Sequence, residues 1–267
     1  MIVWCNGDWA DAAAATLSPA DRGFLLGDGL FETMLWDGAV LCRFGRHMQR
    51  LRASAEALKL PEPPPDAALH AIALDVLARN ALRAHRAAVR VTWSAGAGAR
   101  GLPRPERIAP TLLISCAPSP KPEAPAVVIT ASFPRNAGAP SARFKTLSSI
   151  DNVMARGEAA AAGADEALML NGAGGLAGGA ACNVFLVLDG VARTPEVAHG
   201  ALPGTVRQAL LEAGLEIETA ILTRADMGRA EAACITNALQ EVRPVSRLDG
   251  RALDAAHPAI ARLRQAL

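Results

Sequence analysis

The chain has 267 residues, 51% of them hydrophobic and 20% charged, with a formal net charge of +1. That length suits one large domain or two ordinary ones, the apolar share can bury a sizeable core, and nothing in it suggests disorder. A near-neutral balance, without a basic stripe interleaved with aromatics, argues against a nucleic-acid or polyanion surface. The five cysteines, Cys5, Cys42, Cys116, Cys182 and Cys234, are widely spaced and form no metal-type pair, as buried thiols of a reducing compartment would be. His47, His70, His85, His199 and His257 are scattered too, so no metal site is expected. Asp8 and Asp11 stand where a signal peptide needs an apolar run, and charges interrupt the Ala-rich stretches before they reach membrane-span length. The expectation is a cytoplasmic protein without a membrane span.

Taken in order, residues 2–5 read as a strand turning at Asn6-Gly7, a hairpin signal. Residues 30–36 form a strand that turns at Asp37-Gly38 into a return strand at 39–43. Residues 46–59 are helical, with Met48, Leu51 and Leu58 on one face and Pro61 as the stop. A second helix covers about 66–83. Residues 87–94 alternate as a strand, a Gly-rich loop spans 96–101, and a strand follows at 110–116. The proline-dense stretch APSPKPEAP, residues 117–125, is the linker candidate. Residues 1–117 are then a small N-terminal domain, 118–125 a linker and 126–267 the C-terminal part. The latter reads as a strand at 126–132, a helix from 149 to 163, strands at 167–170, 183–188 and 191–194, and a helix opened by Gly204-Thr205 and closed by Gly214. Strands at 216–222 and 233–236 and a helix from 256 complete it. Hairpins dominate, so the fold class is mixed α+β and not a regular βαβ succession.

Only three lysines occur, Lys59, Lys121 and Lys145, against 24 arginines. Lys59 precedes a proline run and Lys121 lies between two prolines, both places for a solvated charge. Lys145 follows Phe144 and precedes a helix. Unlike a guanidinium, a partly buried amine can lose its proton and attack a carbonyl. A surface lysine at a strand end is the alternative. Arg46 and Arg50, spaced i, i+4 beside His47, are either a solvated helix face or an anion clamp, since guanidinium matches phosphate or carboxylate bidentately. Gly204-Thr205 at a helix start offers a second anion site through backbone N–H groups. Gly96, Gly98 and Gly101 spell G-x-G-x-x-G, but Pro103 and Pro105 follow where a dinucleotide fingerprint needs a helix. A loop carrying Arg100 over a site fits better. No G-x-S-x-G elbow or Walker-type loop is present. An amine nucleophile with two phosphate-sized anion sites suggests a phosphorylated aldehyde cofactor.

An ordered set of motifs resembles the class IV aminotransferases, pyridoxal-phosphate (PLP) enzymes of fold type IV, across nearly the whole chain. The set is DRGFLLGDGLFET (residues 21–33), HMQRL (47–51), FKTLSSIDNVMAR (144–156), GADEALML (163–170), CNVFLV (182–187), ALPGTVR (201–207) and ITNALQEVRPV (235–245). The resemblance implies a two-domain fold with a small N-terminal α/β domain and a larger, mixed β-barrel-like C-terminal domain, assembled as a homodimer. It implies that Lys145 forms the Schiff base with PLP and moves the substrate proton. Arg50 would bind the phosphate, with Gly204, Thr205 and Thr236 as further cofactor contacts and Asn183 beside the ring. Phe31, Arg100 and Asn237 would serve the substrate.

Within the family, A-R-G-L at 99–102, T-N-A-L at 236–239 and F-E-T at 31–33 look most like aminodeoxychorismate lyase, an enzyme of folate synthesis. The D-amino-acid branch carries a histidine where Leu102 stands, and Ser148 takes an asparagine's place in the K-x-L-N of both branches. One departure is serious: the family's glutamate partner of the pyridinium nitrogen is replaced by Gly178, and no Asp or Glu lies between Glu166 and Asp189. An unprotonated ring is a weaker electron sink. Nor is there any tyrosine to hydrogen-bond the cofactor oxygen. Three functions therefore compete: pyruvate elimination giving 4-aminobenzoate, transamination of a small amino acid, and cofactor binding with weak or altered catalysis.

Overall fold

A computed structural model describes every residue, Met1–Leu267. It resolves into two compact units, Met1–Pro120 with Phe144–Ser148, and Lys121–Arg143 with Ser149–Leu267. Residues 144–148, which a single boundary at 118–125 assigned to the C-terminal part, thus belong with the N-terminal unit.

The first unit comprises β1 (Ile2–Cys5), β2 (Asp8–Asp11), α1 (Arg22–Leu26), β3 (Gly29–Trp36), α2 (Phe44–Ala57), α3 (Asp66–Arg79), β4 (Ala87–Ser94) and β5 (Thr111–Pro118). Its sheet runs β2-β1-β5-β4-β3, antiparallel throughout. Asn6 and Gly7 both take positive φ (49° and 108°), the geometry of a two-residue hairpin turn. β3 alternates, with Leu30, Glu32, Met34 and Trp36 buried on the face that α2 covers. Met48 and Leu51 of α2 are buried as the helical period requires. The expected return strand at 39–43 is absent. Asp37 Oδ1 accepts the N–H groups of Ala39 and Val40, only Trp36↔Leu41 bridges, and α2 starts at Phe44. The local Asx turn won over strand pairing.

The second unit comprises β6 (Ala126–Thr130), α4 (Pro140–Arg143), α5 (Ile150–Ala161), β7 (Glu166–Leu170), β8 (Leu176–Gly179), β9 (Asn183–Leu188), β10 (Val191–Pro195), α6 (Thr205–Leu211), β11 (Ile217–Ala220), α7 (Arg224–Arg229), β12 (Ala232–Asn237), β13 (Glu241–Leu248), β14 (Arg251–Ala252) and α8 (Pro258–Gln265). A curled nine-stranded sheet runs β11-β10-β9-β12-β13-β6-β7-β8, with β14 on β13. Its centre is buried on both faces: every residue of β9 is buried, and on one side Phe185, Val187 and Cys234 meet Val206, Leu210, Ile260 and Leu263 of α6 and α8. This is why CNVFLV and ACIT read as nearly continuous apolar runs and do not alternate. The strands at 167–170, 183–188 and 191–194 and the helix at Gly204-Thr205 stand where the sequence placed them. No helix is long and apolar enough to cross a membrane.

Candidate active site

In the first unit, residues 145–147 run antiparallel along the free edge of β3. Phe31 N donates to Lys145 O (3.0 Å), Leu147 N donates to Gly29 O (2.9 Å), and Leu30 bridges Thr146. Period-2 alternation then puts Lys145 on the same face as Phe31. Across the β3–β4 register Phe31 lies opposite Thr92 and Thr33 opposite Arg90, so both of those join that face. The Lys145 Nζ stands 4.2 Å from the Phe31 ring centroid and the Arg90 guanidinium 3.8 Å from it. Two cations share one aromatic ring, and Lys145 makes no ion pair. Burial pulls the Lys145 amine down from 10.5 to about 8; the positive charges of Arg50 and Arg90 act the same way, against the Glu32 carboxylate.

Behind that face lies a buried ion cluster. Glu32, 1% exposed, accepts from Arg50 Nε (2.8 Å) and Nη2 (2.6 Å) and pairs with His47 Nδ1 (2.6 Å). Burial opposes the Glu32 charge, but Arg50 and His47 outweigh it and hold the carboxylate at about 2. His47 is fully buried and its pKa is lowered, chiefly by desolvation. It is therefore neutral, and since an ionised carboxylate has no proton to give, Nδ1 carries the hydrogen and donates. For Arg46 and Arg50 the sequence leaves open a solvated helix face or a two-arginine clamp. The structure instead commits the Nε–Nη2 edge of Arg50 to Glu32. Glu32 was legible: in L-F-E-T-M-L it falls in phase with Leu30 and Met34, a charge on the apolar face.

The glycine-rich opening motif builds the floor beneath. Asp21 caps α1 by accepting from Gly23 N and also accepts from the Ser94 and Thr111 hydroxyls (2.9 and 2.7 Å). Gly29 lies so close to β4 that a Cβ would sit 2.7 Å from Ser94 Cα. Buried Arg22 donates to the carbonyls of Gly101, Leu102 and Pro103 and, with Arg104, binds Asp28. This clasps the Gly-rich loop from beneath, leaving Arg100 exposed on it.

In the second unit Asn183 and Thr236 are buried cross-strand partners on β9 and β12. The Thr236 Oγ1 is buried with no hydrogen-bond partner. Asn183 Nδ2 donates to Leu202 O (2.7 Å), and a Cβ on Gly204 would lie 1.9 Å from Asn183 Oδ1, so only glycine fits before Thr205. Asn237 is spent on structure: its Oδ1 accepts from Leu239 N and Gln240 N, and its Nδ2 donates to Ala181 O. Gly178 has φ +144°, which side chains rarely adopt. Glu166, the last carboxylate before Gly178 in the sequence, is buried on β7, accepts from Ala167 N and Ala181 N, and has its pKa raised by burial. Burial and Glu166 push the Cys182 thiol well up, making it a protonated thiol and not a nucleophile. Arg90, absent from the sequence-based candidates, carries one signal, the single charge in β4.

The family model for amino-transferase class IV matches residues 29–248. A candidate branched-chain-amino-acid aminotransferase from Methanocaldococcus jannaschii is 31% identical, over 95% of this chain and 90% of its own length. Aminodeoxychorismate lyase from Bacillus subtilis is 28% identical, over 93% and 87%. Among solved structures, the branched-chain amino acid aminotransferase of Escherichia coli superposes with a TM-score of 0.91 at 24% identity, covering 99% of this chain and 92% of that one, a likeness of fold.

Proposed function

Because this chain belongs to the class IV aminotransferase family, we propose that it works on a small amino substrate through the Lys145 amine, with elimination of pyruvate from aminodeoxychorismate as its reaction. Membership makes it a PLP-dependent enzyme, a transaminase or a lyase. The observation that carries the reading is the Lys145 amine, lowered to about 8 and seated with Arg90 on the Phe31 ring. The residues present fit a phosphorylated aldehyde. Lys145 can give up its proton, and Thr236 Oγ1 is a buried hydroxyl with no partner within the protein. When bound, the cofactor supplies the electron sink.

The chain's own residues do the rest. Lys145 takes the proton from the substrate α-carbon and, in the lyase reaction, returns it to the released methylene. Arg90, with no carboxylate partner, takes a substrate carboxylate, and the Phe31 ring keeps both cations in place. Arg50 binds the cofactor phosphate; Asn183, Gly204, Thr205 and Thr236 are cofactor contacts that the family resemblance suggests. Arg100 and Asn237 complete the substrate side. The Asn237 side chain would have to leave its bonds to Ala181, Leu239 and Gln240 to do so.

The F-E-T, A-R-G-L and T-N-A-L motifs and the likeness to the Bacillus lyase support elimination. The 31% identical Methanocaldococcus protein supports transamination as the second reading. Purified enzyme given aminodeoxychorismate separates them. Pyruvate with 4-aminobenzoate is expected; pyridoxamine phosphate left after a half-reaction with an amino acid, without pyruvate, makes it a transaminase. The third reading, weak catalysis caused by Gly178, predicts that PLP binds while neither pyruvate nor pyridoxamine phosphate accumulates. The enzyme acts in the cytoplasm as a homodimer. Phe24, Leu25 and Leu26, exposed in succession on α1, support a partner subunit there.

A further inference from the structure

Lys145 and Phe31 occupy one face of β3, and Glu32 occupies the other. A carboxylate on the apolar face of a strand is costly to bury unless it is fully hydrogen-bonded. Here it is, by three donors from one helix: Arg50 Nε, Arg50 Nη2 and His47 Nδ1. The side-on pair leaves the guanidinium no freedom to turn about its own plane. The neutral His47 fixes the carboxylate from its other flank without adding charge. Glu32 is also the one negative group acting on His47 and on Lys145, so a single carboxylate serves three side chains, Arg50, His47 and Lys145.

We propose that Glu32 is a positioning residue: through its two-nitrogen grip on Arg50, steadied by His47, it aims the guanidinium at the anionic end of the bound cofactor. The inference rests on the reading of Arg50 as the phosphate ligand. Glu32 itself touches neither cofactor nor substrate. Its effect through Arg50 is felt only by ligands that carry a phosphate, whereas its weaker effect on the Lys145 amine is shared by every aldehyde.

The test compares PLP with pyridoxal, which has the aldehyde and lacks the phosphate, by absorbance titration of the purified apoprotein. Glu32→Gln removes the charge and sets an amide N–H against a donor. PLP affinity is expected to fall about tenfold or more relative to that for pyridoxal, the size of a lost charge-assisted hydrogen bond, because any change at the Lys145 amine is common to both aldehydes. Arg50→Lys is expected to do the same, and the double variant to be no worse than the poorer single one, because both act at one contact. If Glu32→Gln does not fold, Glu32→Asp is read in the same titration. It keeps the charge but is too short for the two-nitrogen grip, and the same phosphate-selective loss is expected. Equal losses for PLP and pyridoxal, losses that add in the double variant, or unchanged PLP affinity would each overturn the proposal. Wild-type protein that binds neither aldehyde would instead overturn the functional reading on which the proposal rests.

Discussion

At about 8, the Lys145 amine is free base in about a tenth of molecules at pH 7, several hundred times the share of an ordinary lysine amine at about 10.5. The apoprotein should therefore react with an added aldehyde about tenfold faster per pH unit below 8 and level off above it, a profile measurable by stopped-flow absorbance. Arg90→Met removes one of the charges that lower the amine, so the plateau should move to higher pH. Glu32 behaves in the opposite sense. Held at about 2, against 4.5 for a free carboxyl, it contributes stability that is complete above pH 4.5 and is lost as the pH falls toward 2. Glu32→Ala leaves Arg50 facing an empty interior and should destabilise by about 3–5 kcal/mol in urea unfolding at pH 7. That difference should shrink at pH 3. Lys145 was legible because lysine is so scarce here. Arg90 was not, because what marks it is the ring it shares, and a ring shared across two strands and a distant segment leaves no local pattern.

Between elements, the tight approaches decide. Gly29→Ala would push a Cβ to 2.7 Å from Ser94 Cα, backbone that cannot yield, and should cost about 1–3 kcal/mol by thermal unfolding. Arg22→Met cuts the clasp under the Gly-rich loop. Amide hydrogen exchange at residues 99–105 should quicken while that of β4 stays slow. The DRG and GDG motifs could be seen in the sequence, but their purpose could not. Asp21, Arg22 and Asp28 act on residues 94–111, so the reason for each lies some eighty residues away. Helix α2 and the central strands β9 and β12 were legible, because burial imposes a period or a continuous apolar run. The strand expected at 39–43 was not formed, because Asp37 offered the backbone a nearer partner.

For the molecule as a whole, the segment that carries Lys145 pairs with β3 across more than a hundred residues of chain. No linker composition announces such a return, so the sequence could suggest where one unit ends but not that the chain comes back to it. Two copies of the 27.7 kDa chain are expected to sediment together, and Leu25→Asp to shift them toward the monomer. The central claim is that Lys145 holds the cofactor, and three lysines make it simple to test. Purified protein is supplied with PLP, reduced with borohydride, digested and mapped by mass spectrometry. A pyridoxyl group on the peptide containing Lys145 is the predicted result; no adduct, or one on Lys59 or Lys121 alone, would contradict it.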